Sequence, residues 1–159
     1  ARTGNALAPT TVEKLTGIDD IVGVKDSSGN FDNMLQYIER TRNKDFAVLS
    51  GNDSLILWNL LAGGVGGISG CANVFPQNMV AIYEEFVKGN MDEAKKAQDA
   101  IRSFRDTFRY GNPNTIVKAA VELSGYPVGK CRSPFSFISN EGIIAIKKVL
   151  EECKKAGIR

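Results

Sequence analysis

Lys25 stands at the end of an aliphatic run, Ile21-Val22-Gly23-Val24, and is followed by Asp26-Ser27-Ser28-Gly29-Asn30. An ammonium group is costly to bury, so a lysine in such a place either reaches for water or is held for its chemistry. That chemistry is nucleophilic. Desolvation favours the neutral amine, and a neutral amine attacks a ketone carbon to give, after loss of water, an imine. The small residues after Lys25 leave room for a compact carbonyl compound beside it. Two other segments share this texture of small polar residues after apolar ones, Ser50-Gly51-Asn52-Asp53 and Ser69-Gly70-Cys71-Ala72-Asn73. The chain contains no histidine, which removes from it Ser-His and Cys-His pairs, histidine bases and the commonest metal ligand.

Other motifs have plainer readings. The run GGVGGISG, 63–70, lacks the spacing and the Lys-Ser/Thr of a phosphate loop, and its glycines suit a sharp helix-to-strand turn. Asp26, Asp53 and Asn73 are not spaced as a cation loop and suit helix capping. Lys118, between Val117 and Ala119, reads as the stem of a helix surface. Cys71, Cys131 and Cys153 lie far apart without metal-ligand spacing, and their odd number fits reduced thiols of a cytoplasmic protein better than a disulfide framework. Neither a metal nor a cofactor is expected. The formal charge of +2, with cations interspersed among acids, gives no basic stripe for nucleic acid. Residues 54–83 carry no charge, but glycines crowd their centre and Pro76 follows, so no membrane span is expected.

The elements that must position Lys25 follow from the periodicity. The composition, 43% hydrophobic and 24% charged over 159 residues, is that of a globular domain. Strands are expected at Asp20–Val24, Phe46–Ser50 and Gly66–Ser69, each followed by a helical pattern: Phe31–Thr41, Ser54–Leu61 and Pro76–Val87. A short helix, Pro9–Leu15, precedes them. Alternation of this kind predicts a parallel α/β architecture, in which sites lie at the carboxyl ends of the strands, so the three polar segments should converge. From Asn90 the texture is helical throughout: Met91–Phe108, Asn112–Leu123 and Ser139–Cys153. The expected division is therefore 1–89, α/β, and 90–159, a helical domain. Phe104, Phe108, Tyr110, Val117 and Val121 offer apolar surface for a homo-oligomer. Three short parallel strands leave both sheet edges open, so further strands are expected from elsewhere.

Ala1-Arg2-Thr3-Gly4, GVKDSSGN, LSGND, GGVGGISGCANVFP, NPNTIVKAA and Cys131-Arg132-Ser133-Pro134-Phe135 together resemble the dihydrodipicolinate synthase and N-acetylneuraminate lyase family, in order and spacing along nearly the whole chain. The resemblance implies the C-terminal part of a (β/α)8 TIM barrel, about three strand-helix units, followed by a C-terminal helical domain. It implies that Lys25 ends the sixth strand and forms a Schiff base with pyruvate, and that the backbone at Ser50, Gly51 and Ile68 lines the keto-acid site. Arg2 matches an arginine that faces the carboxylate of aspartate semialdehyde in the synthases, and Thr3 stands beside it in the same motif. The implied reaction is condensation of pyruvate with aspartate semialdehyde in lysine biosynthesis. Asp26-Ser27-Ser28 also resembles members that cleave 2-keto-3-deoxy sugar acids. By the family pattern, a proton-shuttling tyrosine and a carboxylate-binding threonine pair would precede Ala1, so the N-terminal barrel half is expected as a partner, in the same or a separate chain. Without that half, the chain would be a catalytically incomplete half-barrel. Homotetramers are common in the family.

Overall fold

The computed structural model describes residues 5–159, so Arg2 and Thr3 lie outside the described residues. Two compact units are resolved, one ending at Ser69 and one beginning at Gly70. The division expected at 89/90 follows the end of the strand-helix alternation. The compact units part earlier, because helix 76–87 makes its main packing contact with helix 91–100.

The first unit contains α1 (Pro9–Leu15), β1 (Gly23–Asp26), α2 (Phe31–Thr41), β2 (Ala47–Ser50), α3 (Ile56–Ala62) and β3 (Gly66–Gly67). The strands form one parallel sheet in the order β1-β2-β3, with Lys25 opposite Leu49 and Ser50 opposite Gly67. Successive strand residues face opposite sides. Val24 and Val48 turn toward a core of Val12, Met34, Tyr37 and Ile38 from α1 and α2. Gly67 shares that side, since a Cβ there would stand 2.6 Å from Cγ1 of Ile56 on α3. Gly23, Lys25, Leu49 and Gly66 therefore share the opposite face.

β1 begins later than its aliphatic run suggests. Asp20 has φ +21° and the Ile21 amide donates back to Ile18 O at 3.2 Å, so Ile21 still belongs to a turn. Val22 is 74% exposed. Hydrophobicity marked the neighbourhood of the strand, and the hydrogen-bond register with β2 fixed its ends, so that Lys25 lies within it.

Caps also differ from expectation. Asn30 accepts from the Asn33 amide at the start of α2, and Asn52 from the Ser54 amide in a 3-10 turn over Asp53–Leu55. Neither Asp26 nor Asp53 is the capping residue. Gly63, at φ +104°, ends α3 in the left-handed conformation that a side chain disfavours, which is the role expected of the glycine run.

The second unit contains α4 (Pro76–Val87), α5 (Met91–Ala100), α6 (Arg102–Asp106), α7 (Pro113–Leu123) and α8 (Asn140–Lys155). The single helix expected over Met91–Phe108 is broken at Ile101 and tightens into a 3-10 turn over Thr107–Tyr110, where the Thr107 hydroxyl donates to Phe104 O at 2.6 Å. No glycine or proline marks the break. It allows Ile101 and Phe104, 1% and 0% exposed, both to be buried. Phe104 meets Phe75 and Phe108 edge-to-face, with centroids 5.3 and 5.7 Å away. Phe104 is therefore core and supplies none of the free apolar surface expected for self-association, while Phe108 and Tyr110 are half-buried. Among the described residues no helix is long and apolar enough to cross a membrane, and no group of three or more His, Cys, Asp or Glu could hold a metal ion.

Candidate active site

The carboxyl ends of the three strands are stitched together one residue beyond the sheet. The Gly51 amide donates to Asp26 O at 2.6 Å, and the Ile68 amide donates to Ser50 O at 2.8 Å. Lys25, Ser50, Gly51 and Ile68 are thus brought to one edge. The amides of Gly51 and Ile68 are engaged by neighbouring strands. To a ligand they offer carbonyl oxygens and, at Ile68, an apolar side chain that is half-exposed.

Lys25 projects from the face opposite the helices, and its side chain lies over Gly51. A Cβ on Gly51 would stand 2.5 Å from Lys25 Cε and 2.1 Å from Ser27 Oγ, so the lysine stem and the serine hydroxyl are neighbours in space that only glycine leaves open. Lys25 is exposed among the described residues, because the strand face it occupies carries no helix. Ser50 is fully buried, and its hydroxyl donates to Asn52 O at 2.8 Å on the other side of the sheet. Its contribution at the edge is backbone alone.

Two residues that the sequence did not single out correctly hold this edge in shape. Asp26 is 6% exposed. Its Oδ1 accepts from the Ser28 amide at 2.7 Å and its Oδ2 from Asn33 Nδ2 at 3.4 Å, which ties the turn after Lys25 to α2. Asn59 is fully buried in α3 and donates from Nδ2 to Val48 O at 3.0 Å and Gly66 O at 2.8 Å, bridging β2 and β3. Its signal was present as a lone amide inside the apolar helix ILWNLLA. A buried amide in such a helix must find partners, and carbonyls of a sheet that is only two residues long at β3 are available ones. Asn59→Ala is expected to remove both bonds, leaving Val48 O with the Val65 amide at 3.0 Å and Gly66 O without its side-chain donor, and to lower unfolding free energy by about 1–3 kcal/mol, measured by urea denaturation. An unchanged midpoint would show that the bridge carries no stability.

A short parallel sheet with helices on one face, and an amine at the carboxyl edge of the other, defines a parallel α/β protein with a lysine where such folds place their sites. The chain belongs to the dihydrodipicolinate synthetase family, whose sequence model matches residues 1–153. It is 38% identical over 151 residues to the 4-hydroxy-tetrahydrodipicolinate synthase of Archaeoglobus fulgidus, covering 95% of this chain and 52% of that protein. To the synthase of Methanosarcina barkeri it is 35% identical over 159 residues, covering 99% and 53%. Among solved structures, the dihydrodipicolinate synthase of Thermotoga maritima matches with a TM-score of 0.89 at 27% identity, over 96% of this chain and 52% of that one. A prophage protein of the dihydrodipicolinic acid synthase family from E. coli K12, in complex with pyruvate, matches with a TM-score of 0.88 at 26% identity, over 96% and 53%. The chain spans about half the length of the curated relatives it matches.

Proposed function

We propose that the protein is a Schiff-base-forming synthase, a 4-hydroxy-tetrahydrodipicolinate synthase that condenses pyruvate with aspartate semialdehyde and in which Lys25 is the nucleophile. The observation that carries this reading is the Lys25 side chain laid across Gly51 at the strand edge, in a chain whose curated relatives bear that name. The reading places β1 to β3 in a (β/α)8 barrel, with the other strands supplied by the N-terminal half, in the same or a separate chain, and with residues 90–159 as the helical domain. It also takes the protein to be a cytoplasmic homo-oligomer, the first supported by cysteines without disulfide spacing and the second by the family alone.

Neutral Lys25 Nζ attacks C2 of pyruvate to give a carbinolamine. Its hydroxyl leaves as water and an iminium remains. The iminium draws electron density from the methyl carbon, which gives its proton to the proton-shuttling tyrosine expected from the N-terminal half and becomes an enamine. The enamine carbon then attacks the aldehyde carbon of the semialdehyde and forms the new carbon-carbon bond. Attack of the semialdehyde's own amine on the iminium carbon closes the ring and returns Lys25 as the free amine. In this scheme the carbonyl oxygens at Gly51 and Ile68 face a ligand that sits over the small residues, Ser27 adds a hydroxyl beside it, and Arg2 and Thr3 meet the second substrate.

The complete protein is expected to consume pyruvate only when aspartate semialdehyde is present, followed by coupled assay of the condensation product. Cleavage of 2-keto-3-deoxygluconate at a higher kcat/KM than the condensation would assign the site to the sugar-acid aldolases instead. Absence of both activities in the complete protein would sink the reading.

A further inference from the structure

We infer that a groove in the helical unit, between α7 and the segment 128–135, binds a small organic dianion with an apolar body. The groove has a volume of about 850 Å3. On α7, Asn114, Val117, Lys118 and Val121 follow the i, i+3, i+4, i+7 spacing of a single helix face, and all four line it. Lys118 is half-buried in the middle of that face, flanked by valines. A lysine whose only purpose was to carry an apolar stem to water would have no need of a concave setting.

The facing wall brings two more cations, Lys130 and Arg132, one on each side of the half-buried Cys131. Val128 and Phe135 complete an apolar floor. No carboxylate lines the groove, and none of the three cations has an ion-pair partner among the described residues. Three like charges line one groove, Lys118 half-buried and Lys130 and Arg132 exposed, and they repel one another to the extent that solvent does not screen them. A dianion relieves that repulsion, and its hydrocarbon part covers the valines and Phe135.

The groove is also held open by the fold. The Tyr126 amide donates to Val121 O at 3.2 Å where the segment leaves α7. Farther on, the Thr115 hydroxyl donates to Phe135 O, tying the segment back to the first turns of the helix. The Phe135 amide donates to Arg132 O at 3.0 Å, forming a turn that fixes the Arg132 backbone beside the floor.

Cys131 reports occupancy directly. Cys71 and Cys153 are 0% and 2% exposed, and burial pushes the Cys153 thiol up from its ordinary value, so both react slowly. Alkylation of Cys131 in the complete protein by iodoacetamide, followed by peptide mass, would be measured with benzene-1,3-dicarboxylate as probe. At a concentration about ten times Kd the probe should slow alkylation about tenfold, as the free fraction falls by mass action. Lys118→Met and Arg132→Met should each weaken protection about tenfold, the loss of one charge-assisted contact. Lys118→Arg should preserve it, separating charge from a folding defect, and Lys25→Ala should leave it unchanged, separating the groove from the strand edge. Malonate, which lacks an apolar body, and isophthalamide, which lacks charge, should protect far less. The inference is overturned if the probe gives no protection at ~10 mM, a weak-binding limit of roughly 3 kcal/mol, if protection survives loss of both Lys118 and Arg132 charges, or if malonate or isophthalamide protects equally.

Discussion

Lys25→Ala is expected to abolish turnover of the complete protein and its trapping by pyruvate and borohydride. Among the described residues only Lys25 places an amine over the open floor left by Gly51 at the strand edge, and in the proposed scheme that amine forms the iminium on which carbon-carbon bond formation depends. Loss of the nucleophile removes the electron sink altogether, so kcat/KM should fall by at least about a thousandfold, ~4 kcal/mol of transition-state stabilisation. In the unsubstituted protein, borohydride should fix one reduced pyruvate adduct, located by peptide mass at Lys25. Because the lysine is exposed, substitution should leave the thermal midpoint nearly unchanged, so loss of activity would not be loss of fold. An adduct on a different lysine, or full activity in Lys25→Ala, would refute the assignment.

Gly51→Ala should be nearly as severe for activity, through a single methyl group. The new Cβ would stand 2.5 Å from Lys25 Cε and 2.1 Å from Ser27 Oγ, inside any real contact distance, and 3.1 Å from Asp26 O. The two side-chain ends can swing away, whereas Asp26 O is backbone and is already bonded by the Gly51 amide. The relief therefore falls on the Ser27 hydroxyl and on the lysine stem together, and both border the open floor. Displacing the lysine amine by about 1 Å from the attacking geometry costs on the order of a hundredfold in rate. Stability should drop by only ~1–3 kcal/mol, the usual range for overpacking. The informative comparison is the rate of borohydride trapping against the thermal midpoint. A variant that traps pyruvate at the original rate would mean that Gly51 is small for some reason other than the lysine above it.

Lys25 as an amine at a strand end, the parallel α/β order, and the positions of α1, α2 and α4 were all legible in the residues, because apolar periodicity and proline placement are local properties. The absence of histidine restricts the chemistry by composition alone. Family membership was also legible, since motif order and spacing are carried by the chain itself. What local pattern could not supply was register. Pairing with Ala47–Ser50 moved the start of β1 from Asp20 to Gly23 and its end from Val24 to Asp26, and that pairing sets Lys25 on the face opposite Val24, above Gly51. Asn59 and Asp26 were visible as letters, but their roles depend on carbonyls and amides that other segments bring to them. Lys118 was legible as a helix residue and not as the wall of a groove, since the facing cations lie on a separate loop. Periodicity along one segment determines which side of it is apolar. Which partner meets that side, and which polar atoms are left facing a cavity, is decided only when segments distant in sequence pack together.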